Sequence, residues 1–219
     1  STLYCLAGSD GTQKWTFTPG EPVGSYPAIA DVDGDGGMEI VIGCAGNVYC
    51  LAGSDGSRKW SFPVGAGSVA IADVDADGRI EVVIIWEKVR CLSGSDGTQK
   101  WEFEPADPTN PGSLVDIDGD GKLEYLFTPG ATGSLLYCLN ADDGTLAWSI
   151  SLLGGIGPPF VGDIDNDLCS EIIVEAGWLE ASGYVYAVED SPNASGCGPL
   201  YEDVEEGLGK GFEFRAAGQ

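Results

Sequence analysis

The chain has 219 residues, with 35 Asp+Glu against 10 Lys+Arg for a formal net charge of −25, and 34 glycines. So acidic a surface repels phosphate backbones and argues against nucleic-acid binding, while 43% hydrophobic residues and a mean hydropathy of +0.01 supply a core and argue against disorder. There is no histidine, which excludes His-based triads, imidazole general bases and the common zinc ligand sets.

Ser1-Thr2-Leu3-Tyr4 carries no basic n-region, so an exported chain is expected to have lost its signal ahead of Ser1. The longest purely apolar runs, such as residues 82–86, fall far below the ~20 residues of a membrane span. From residue 3 onward the chain repeats itself. Residues 3–15, Leu-Tyr-Cys-Leu-Ala-Gly-Ser-Asp-Gly-Thr-Gln-Lys-Trp, recur at 48–60, 89–101 and 136–148, with tryptophan spacings of 45, 41 and 47. A fifth, degenerate copy begins at Tyr184, with Ala187 at the cysteine position and Tyr201 at the tryptophan position.

Each period carries a second signature. Asp31-Val32-Asp33-Gly34-Asp35-Gly36-Gly37-Met38-Glu39 runs into Ile40-Val41-Ile42, with counterparts at 73–81, 116–124 and 163–171. One repeat therefore reads as a short apolar stretch, an acidic loop, a β-branched stretch, a Tyr-Cys-Leu stretch, an Asp-Gly turn and a Lys-Trp stretch. The β-branched runs and the Asp-Gly dipeptides at 10–11, 55–56, 96–97 and 143–144 favour strands and hairpins. No window shows helical periodicity. Four short strands per period predict an all-β fold, a β-propeller of four-stranded blades with the acidic loop between strands 1 and 2. A solenoid would need much shorter coils.

The reading is one domain over 1–219: a half-blade at 1–18, blades near 27–62, 68–103, 112–150 and 157–204, and a tail at 205–219. Either residues 211–215 return as a strand beside the N-terminal pair, closing a ring of about five blades, or the chain is an open propeller segment completed by another copy.

Each acidic loop places carboxylates at positions 1, 3, 5 and 9. The sets are Asp31, Asp33, Asp35, Glu39; Asp73, Asp75, Asp77, Glu81; Asp116, Asp118, Asp120, Glu124; and Asp163, Asp165, Asp167, Glu171. Such crowding calls for a neutralising cation, and oxygen-only ligands suit Ca²⁺, which takes 6–8 of them. Backbone carbonyls near position 7 (Gly37, Arg79, Lys122, Cys169) complete the predicted shell, and glycine at position 6 allows the sharp turn. The fourth loop has Leu168 there. The bland alternative is a solvated acidic turn. With ions bound, the sites are nearly saturated by protein oxygens, so about four Ca²⁺ would serve folding rather than catalysis.

Asp-x-Asp-x-Asp-Gly-x-x-Glu-Ile between strands resembles the FG-GAP/VCBS repeats of integrin-α-type propellers, in their calcium-hairpin branch. That resemblance implies a Ca²⁺ loop joining the first two strands of a blade. The Cys-Leu-Ala-Gly-Ser-Asp-Gly-Thr-Gln-Lys-Trp segments are separately similar to the tryptophan-docking segments of quinoprotein propellers. Together the resemblances span residues 3–190.

Trp15, Trp60, Trp101 and Trp148 share one blade position and are expected to pack between blades. Trp86 and Trp178 break the pattern, and Trp178 is a candidate ligand contact. Cys5, Cys50, Cys91 and Cys138 are expected as free thiols, whereas Cys169 and Cys197, both in the last blade, are the candidate disulfide. Asn193-Ala194-Ser195 is a glycosylation sequon.

The functional expectation is a non-enzymatic, extracellular or cell-surface calcium-binding propeller used as a structural, adhesive or binding scaffold, self-associating through strand complementation or holding a protein or glycan ligand. A lectin, or less favoured a polysaccharide-acting enzyme or quinoprotein dehydrogenase, are the alternatives. No nucleic acid and no membrane insertion are expected.

Overall fold

The computed structural model describes residues 1–105, 110–128, 135–151, 157–164, 170–176 and 184–188, with the pairs 192–193 and 196–197. The expectations for Asp165, Asp167, Leu168, Cys169, Trp178, Tyr201 and the tail at 205–219 lie outside the described residues, as do those for the Asn193 and Cys197 side chains.

All described regular structure is β. The strands are β1 (Leu3–Leu6), β2 (Gln13–Phe17), β3 (Ala28–Ala30), β4 (Glu39–Gly43), β5 (Val48–Ala52), β6 (Arg58–Phe62), β7 (Ser68–Ala72), β8 (Glu81–Ile85), β9 (Val89–Ser93) and β10 (Gln99–Phe103). They continue as β11 (Ser113–Val115), β12 (Glu124–Phe127), β13 (Leu135–Asn140), β14 (Leu146–Ser151), β15 (Phe160–Gly162), β16 (Glu171–Ala176) and β17 (Tyr184–Val188), then the short pair β18 (Pro192–Asn193) and β19 (Gly196–Cys197). Three four-stranded antiparallel meanders, β3-β4-β5-β6, β7-β8-β9-β10 and β11-β12-β13-β14, stand between the β1-β2 hairpin and the β15-β16-β17 sheet. The innermost strands are neighbours in turn: β3 and β4 lie against β7, β7 against β11, and β11 against β15. The described strands form successive blades of a β-propeller.

Second strands such as Glu-Ile-Val-Ile-Gly and Glu-Val-Val-Ile-Ile are buried along their whole length, because each blade is covered on both faces. The core is accordingly divided into layers between blades. Trp15, Leu3, Cys5 and Phe17 of the first hairpin pack on Ile40, Ile42, Tyr49 and Leu51 of the next sheet. Val41, Val48, Cys50 and Trp60 pack on Val82, Ile84 and Leu92. Val83, Val89, Cys91 and Trp101 pack on Tyr125, Phe127, Tyr137 and Leu139, where Phe127 stacks on Tyr137 with ring centroids 5.1 Å apart. Leu126, Leu136, Cys138 and Trp148 pack on Ile172 and Val174.

The tryptophans lock neighbouring blades by one repeated contact. In three of them the indole Nε1 donates to a carbonyl in the β-turn of the following blade: Trp15 to Gly53 at 2.9 Å, Trp60 to Gly94 at 2.7 Å and Trp101 to Ala141 at 3.0 Å. Beneath the rings lie Gly56, Gly97 and Gly144, where a Cβ would fall 2.5–2.7 Å from a ring carbon. The Asp-Gly pair sits in a connection of five or six residues rather than a two-residue turn. Ala7 N bonds Thr12 O, Gly11 N bonds Ala7 O, and the preceding Asp10 carboxylate accepts from Thr12 N and its hydroxyl. These glycines have φ near +73°, a conformation that side chains resist.

Gly11 and Gly97 share that backbone conformation, but a Cβ at Gly11 would meet nothing within 4 Å among the described residues, and one at Gly97 would meet the Trp60 ring. Urea denaturation should therefore show Gly11→Ala costing about 1 kcal/mol from backbone strain, and Gly97→Ala a further ~1–3 kcal/mol from overpacking. Equal costs would mean that the ring contact contributes nothing.

Candidate metal centres

The acidic loops join strands 1 and 2 of their blades, β3 to β4, β7 to β8, β11 to β12 and β15 to β16. The first three turn on residues with positive φ: Gly34 and Gly36, Ala76 and Gly78, Gly119 and Gly121. Position-1 carboxylates fold the loop over themselves. Asp31 accepts from Gly34 N at 2.8 Å and Gly36 N at 3.0 Å, and Asp73 accepts from Asp77 N at 3.1 Å and Gly78 N at 2.9 Å.

The position-9 glutamate, first residue of the second strand, is buried in every loop: Glu39 is 1% exposed, Glu81 2%, Glu124 5% and Glu171 2%. Its Oε2 accepts the backbone N–H of the residue after the first aspartate, from Val32 at 3.1 Å, Val74 at 3.1 Å, Ile117 at 3.0 Å and Ile164 at 2.7 Å. The buried carboxylate thus pins the start of the loop to the sheet, in the fourth loop as in the others. A carboxylate so far from water is costly unless a positive group faces it.

Converging ligand oxygens, all within 4.8 Å of one another, come from Asp31, Asp33, Asp35 and Glu39 in the first loop, from Asp73, Asp75 and Glu81 in the second, and from Asp116, Asp118 and Glu124 in the third. Asp77 and Asp120 are not part of these groups. Like Asp35, each accepts the backbone N–H of its position-7 residue: Gly37 at 2.7 Å, Arg79 at 2.8 Å and Lys122 at 2.8 Å. What separates Asp35 is a lysine that sequence reasoning missed. Lys59 Nζ on β6 donates to Asp33, Asp35 and Glu39 at 2.6, 2.7 and 2.7 Å. Lys100 Nζ on β10 reaches Asp75 at 2.6 Å and Glu81 at 3.0 Å, leaving Asp77 out. The signal was the Lys of Lys-Trp, which points away from the tryptophan on an alternating strand and so onto its own blade's loop.

These ion pairs set the local electrostatics. The bonds from Asp33, Asp35 and Glu39 raise the Lys59 pKa above the ordinary range. Burial opposes ionisation of Lys100, but Asp75 and Glu81 outweigh it and the shift is also upward. Lys59 beside Asp35 and Lys100 beside Asp75 hold those carboxyls low. In the third blade the equivalent residue is Ala147. There the Asp116 Oδ1 is buried with no hydrogen-bond partner, and burial, with the charges of Asp118, Asp120 and Asp116, pushes Glu124 up to about 7 despite the Ile117 N–H. An orphaned buried oxygen facing a buried glutamate in an all-oxygen cluster is the donor set that a hard divalent cation fits.

The five described cysteines, Cys5, Cys44, Cys50, Cys91 and Cys138, are free. Burial, with Glu39 and Glu81 nearby, pushes the Cys50 and Cys91 thiols up to about 12, so they are space-filling groups rather than nucleophiles.

A family model described as FG-GAP-like repeat matches residues 31–84, the stretch from the first acidic loop into β8. No curated protein matches the sequence. Among solved structures, BamB from Moraxella catarrhalis is 16% identical with a TM-score of 0.55, over 87% of this chain and 64% of that one. Saccharomyces cerevisiae Sqt1 is 15% identical with a TM-score of 0.63, over 88% and 54%. The quinohemoprotein alcohol dehydrogenase ADHIIG from Pseudomonas putida HK5 is 14% identical with a TM-score of 0.56, over 86% and 37%. The chain thus spans between 37 and 64% of the length of these three structures, and the likeness is one of fold. The FG-GAP-like repeat is matched over residues 31–84, within a chain whose fold is that of a β-propeller.

Because the folded-state pKa of Glu124 lies above its unfolded value, its protonated form stabilises the metal-free fold at low pH, and that contribution is lost as pH rises from about 4.5 to 7. In chelator, wild type should lose up to about 3 kcal/mol more than Glu124→Gln across this window. Parallel stability–pH curves for the two proteins would contradict the assignment.

Proposed function

We propose that this chain is a non-enzymatic calcium-binding propeller that serves as an extracellular structural or binding scaffold. The observation that carries the reading is the repeated loop itself: carboxylates converging on a buried glutamate, with the third cluster left holding an orphaned Asp116 oxygen. Asp31, Asp33, Asp35 and Glu39, and their counterparts in the other three loops, would hold about four ions, with the carbonyls of Gly37, Arg79, Lys122 and Cys169 as further ligands. The bound ion would supply charge neutralisation and loop closure. Its all-oxygen, flexible setting favours Ca²⁺ over the stricter Mg²⁺, and millimolar extracellular Ca²⁺ fills even weak sites of this kind.

Two features support a structural rather than a chemical role. The chain has no histidine, and the three converging acidic groups all serve as loop anchors. One neighbour in fold is a dehydrogenase, but a fold shared at 14% identity does not transfer an activity.

The first hairpin supports the self-associating form of this reading. Tyr4 and Leu6 are 60% and 55% exposed, whereas their equivalents Tyr49 and Leu51 are 7% and 0% exposed because a blade covers them. β1 occupies the third-strand position, yet its sheet has two strands. A glycan-binding reading rests on Trp86, 47% exposed beyond β8. Glycan-array binding lost in Trp86→Ala would favour it over the scaffold.

Thermal unfolding should occur well below the Ca²⁺-loaded Tm in chelator and be restored by millimolar Ca²⁺, with about 2.7 kcal/mol per site at a hundredfold excess over Kd. An unchanged Tm in a verified metal-free sample would overturn the calcium reading. Light scattering in Ca²⁺ should show concentration-dependent assemblies that Leu6→Asp returns to monomers. A wild-type monomer at every concentration would contradict self-association and leave the calcium sites standing.

A further inference from the structure

We propose that Lys59 and Lys100 are built-in counter-ions of the first two acidic loops, so that the divalent cation binds the three described loops in a fixed order, the third loop first and the first loop last. The inference rests on the calcium reading above and goes beyond it by assigning different roles to loops that share one ligand spacing.

The three blades are equivalent in strand order, loop length and glutamate anchor. They differ in what faces the carboxylates. In the first, the Lys59 ammonium bonds three of the four acids, each within 2.7 Å. In the second, Lys100 bonds Asp75 and Glu81. In the third, the same strand position is Ala147, which has no cationic group to offer. Lys122, the cation within the third loop, turns outward instead. Its side chain is 63% exposed and its Nζ lies 3.6 Å from Asp142. Glu124 is left with a single described hydrogen bond, from Ile117 N, and Asp116 Oδ1 with none.

An ammonium within 2.6–3.0 Å of these oxygens occupies the space in which a divalent ion would share them, and it repels that ion. Cation binding at the first two loops must therefore displace a lysine and break three or two charge-assisted bonds. At the third loop there is nothing to displace, and the ion satisfies oxygens that otherwise lack a partner. The number of bonds to be broken orders the sites: none in the third loop, two in the second, three in the first. It follows that the β3–β6 and β7–β10 blades keep partly neutralised loops when the cation is scarce, whereas the β11–β14 blade depends on it. Among the three described loops, calcium sensitivity is concentrated in the third by one residue, Ala147.

Calorimetric titration with Ca²⁺, started from chelator-stripped protein, tests this on the full chain. Lys59→Met and Lys100→Met should each strengthen binding at one site by about tenfold or more. Ala147→Lys should weaken the tightest site to a similar degree and raise the Tm in chelator. Ala147→Met, similar in bulk but uncharged, should do neither. Because the lysine variants could unfold when stripped, their affinities are also measured by competing a chelator against the Ca²⁺-loaded proteins. Ca²⁺ binding by wild type that is unmoved by all three lysine changes, or weakened by Lys59→Met, overturns the inference while leaving the calcium reading intact. No Ca²⁺ binding by wild type, matching Glu124→Gln, overturns the calcium reading and the inference with it.

Discussion

A carboxylate held away from water beside other carboxylates is the constraint around which each blade is arranged. Glu39, Glu81, Glu124 and Glu171 open the second strand of their sheets with almost no exposure, and each is committed to a backbone N–H at the start of its loop. One neutral hydrogen bond does not offset the desolvation of a charge, and the neighbouring aspartates raise its cost further. Something positive has to face the cluster. Two blades meet that demand with a lysine from their own outer strand; the third has no such lysine, and protonation of Glu124 or a bound cation would meet it.

This intra-blade device is coupled to an inter-blade one through a single strand. Lys59 and Trp60 are consecutive on β6, as are Lys100 and Trp101 on β10. Strand alternation sends the lysine to its own loop and the tryptophan across to the next blade's turn. There the indole N–H finds a carbonyl and the ring lies over a glycine. Closing the loop and docking the blade therefore depend on the same backbone register. Release of the loop is expected to weaken the seam beside it. The overall charge of −25 takes on a local meaning in this light, since sixteen of the 35 acids stand in the four loops.

The repeat made the architecture legible from the residues. Fourfold recurrence fixed the number of strands per period, the β-branched runs placed them, and the Asp-Gly pairs marked the hairpins. The packing role of Trp15, Trp60 and Trp101 was legible too, because a large residue at one blade position has to fill one kind of gap. Less visible were features that depend on which side chains meet across strands. A spacing of about twenty residues separates Lys59 from Glu39 and Lys100 from Glu81, and only the antiparallel meander brings those residues together. For the same reason Asp35 and Asp77, identical in motif position, differ in their surroundings. The replacement of lysine by Ala147 reads as an ordinary loss of repeat identity until the cluster it faces is in view. The first hairpin, read as half a blade because it lacks the acidic loop that opens every later repeat, is a two-stranded sheet among the described residues.

The most direct measurement is the anomalous difference density of crystals grown in millimolar Ca²⁺. A peak is expected about 2.3–2.6 Å from carboxylate oxygens of Asp116, Asp118 and Glu124, with Lys59 and Lys100 turned out of their loops wherever a peak stands beside them. Density without a peak at the third loop, with its carboxylates facing only ordered water, would contradict it.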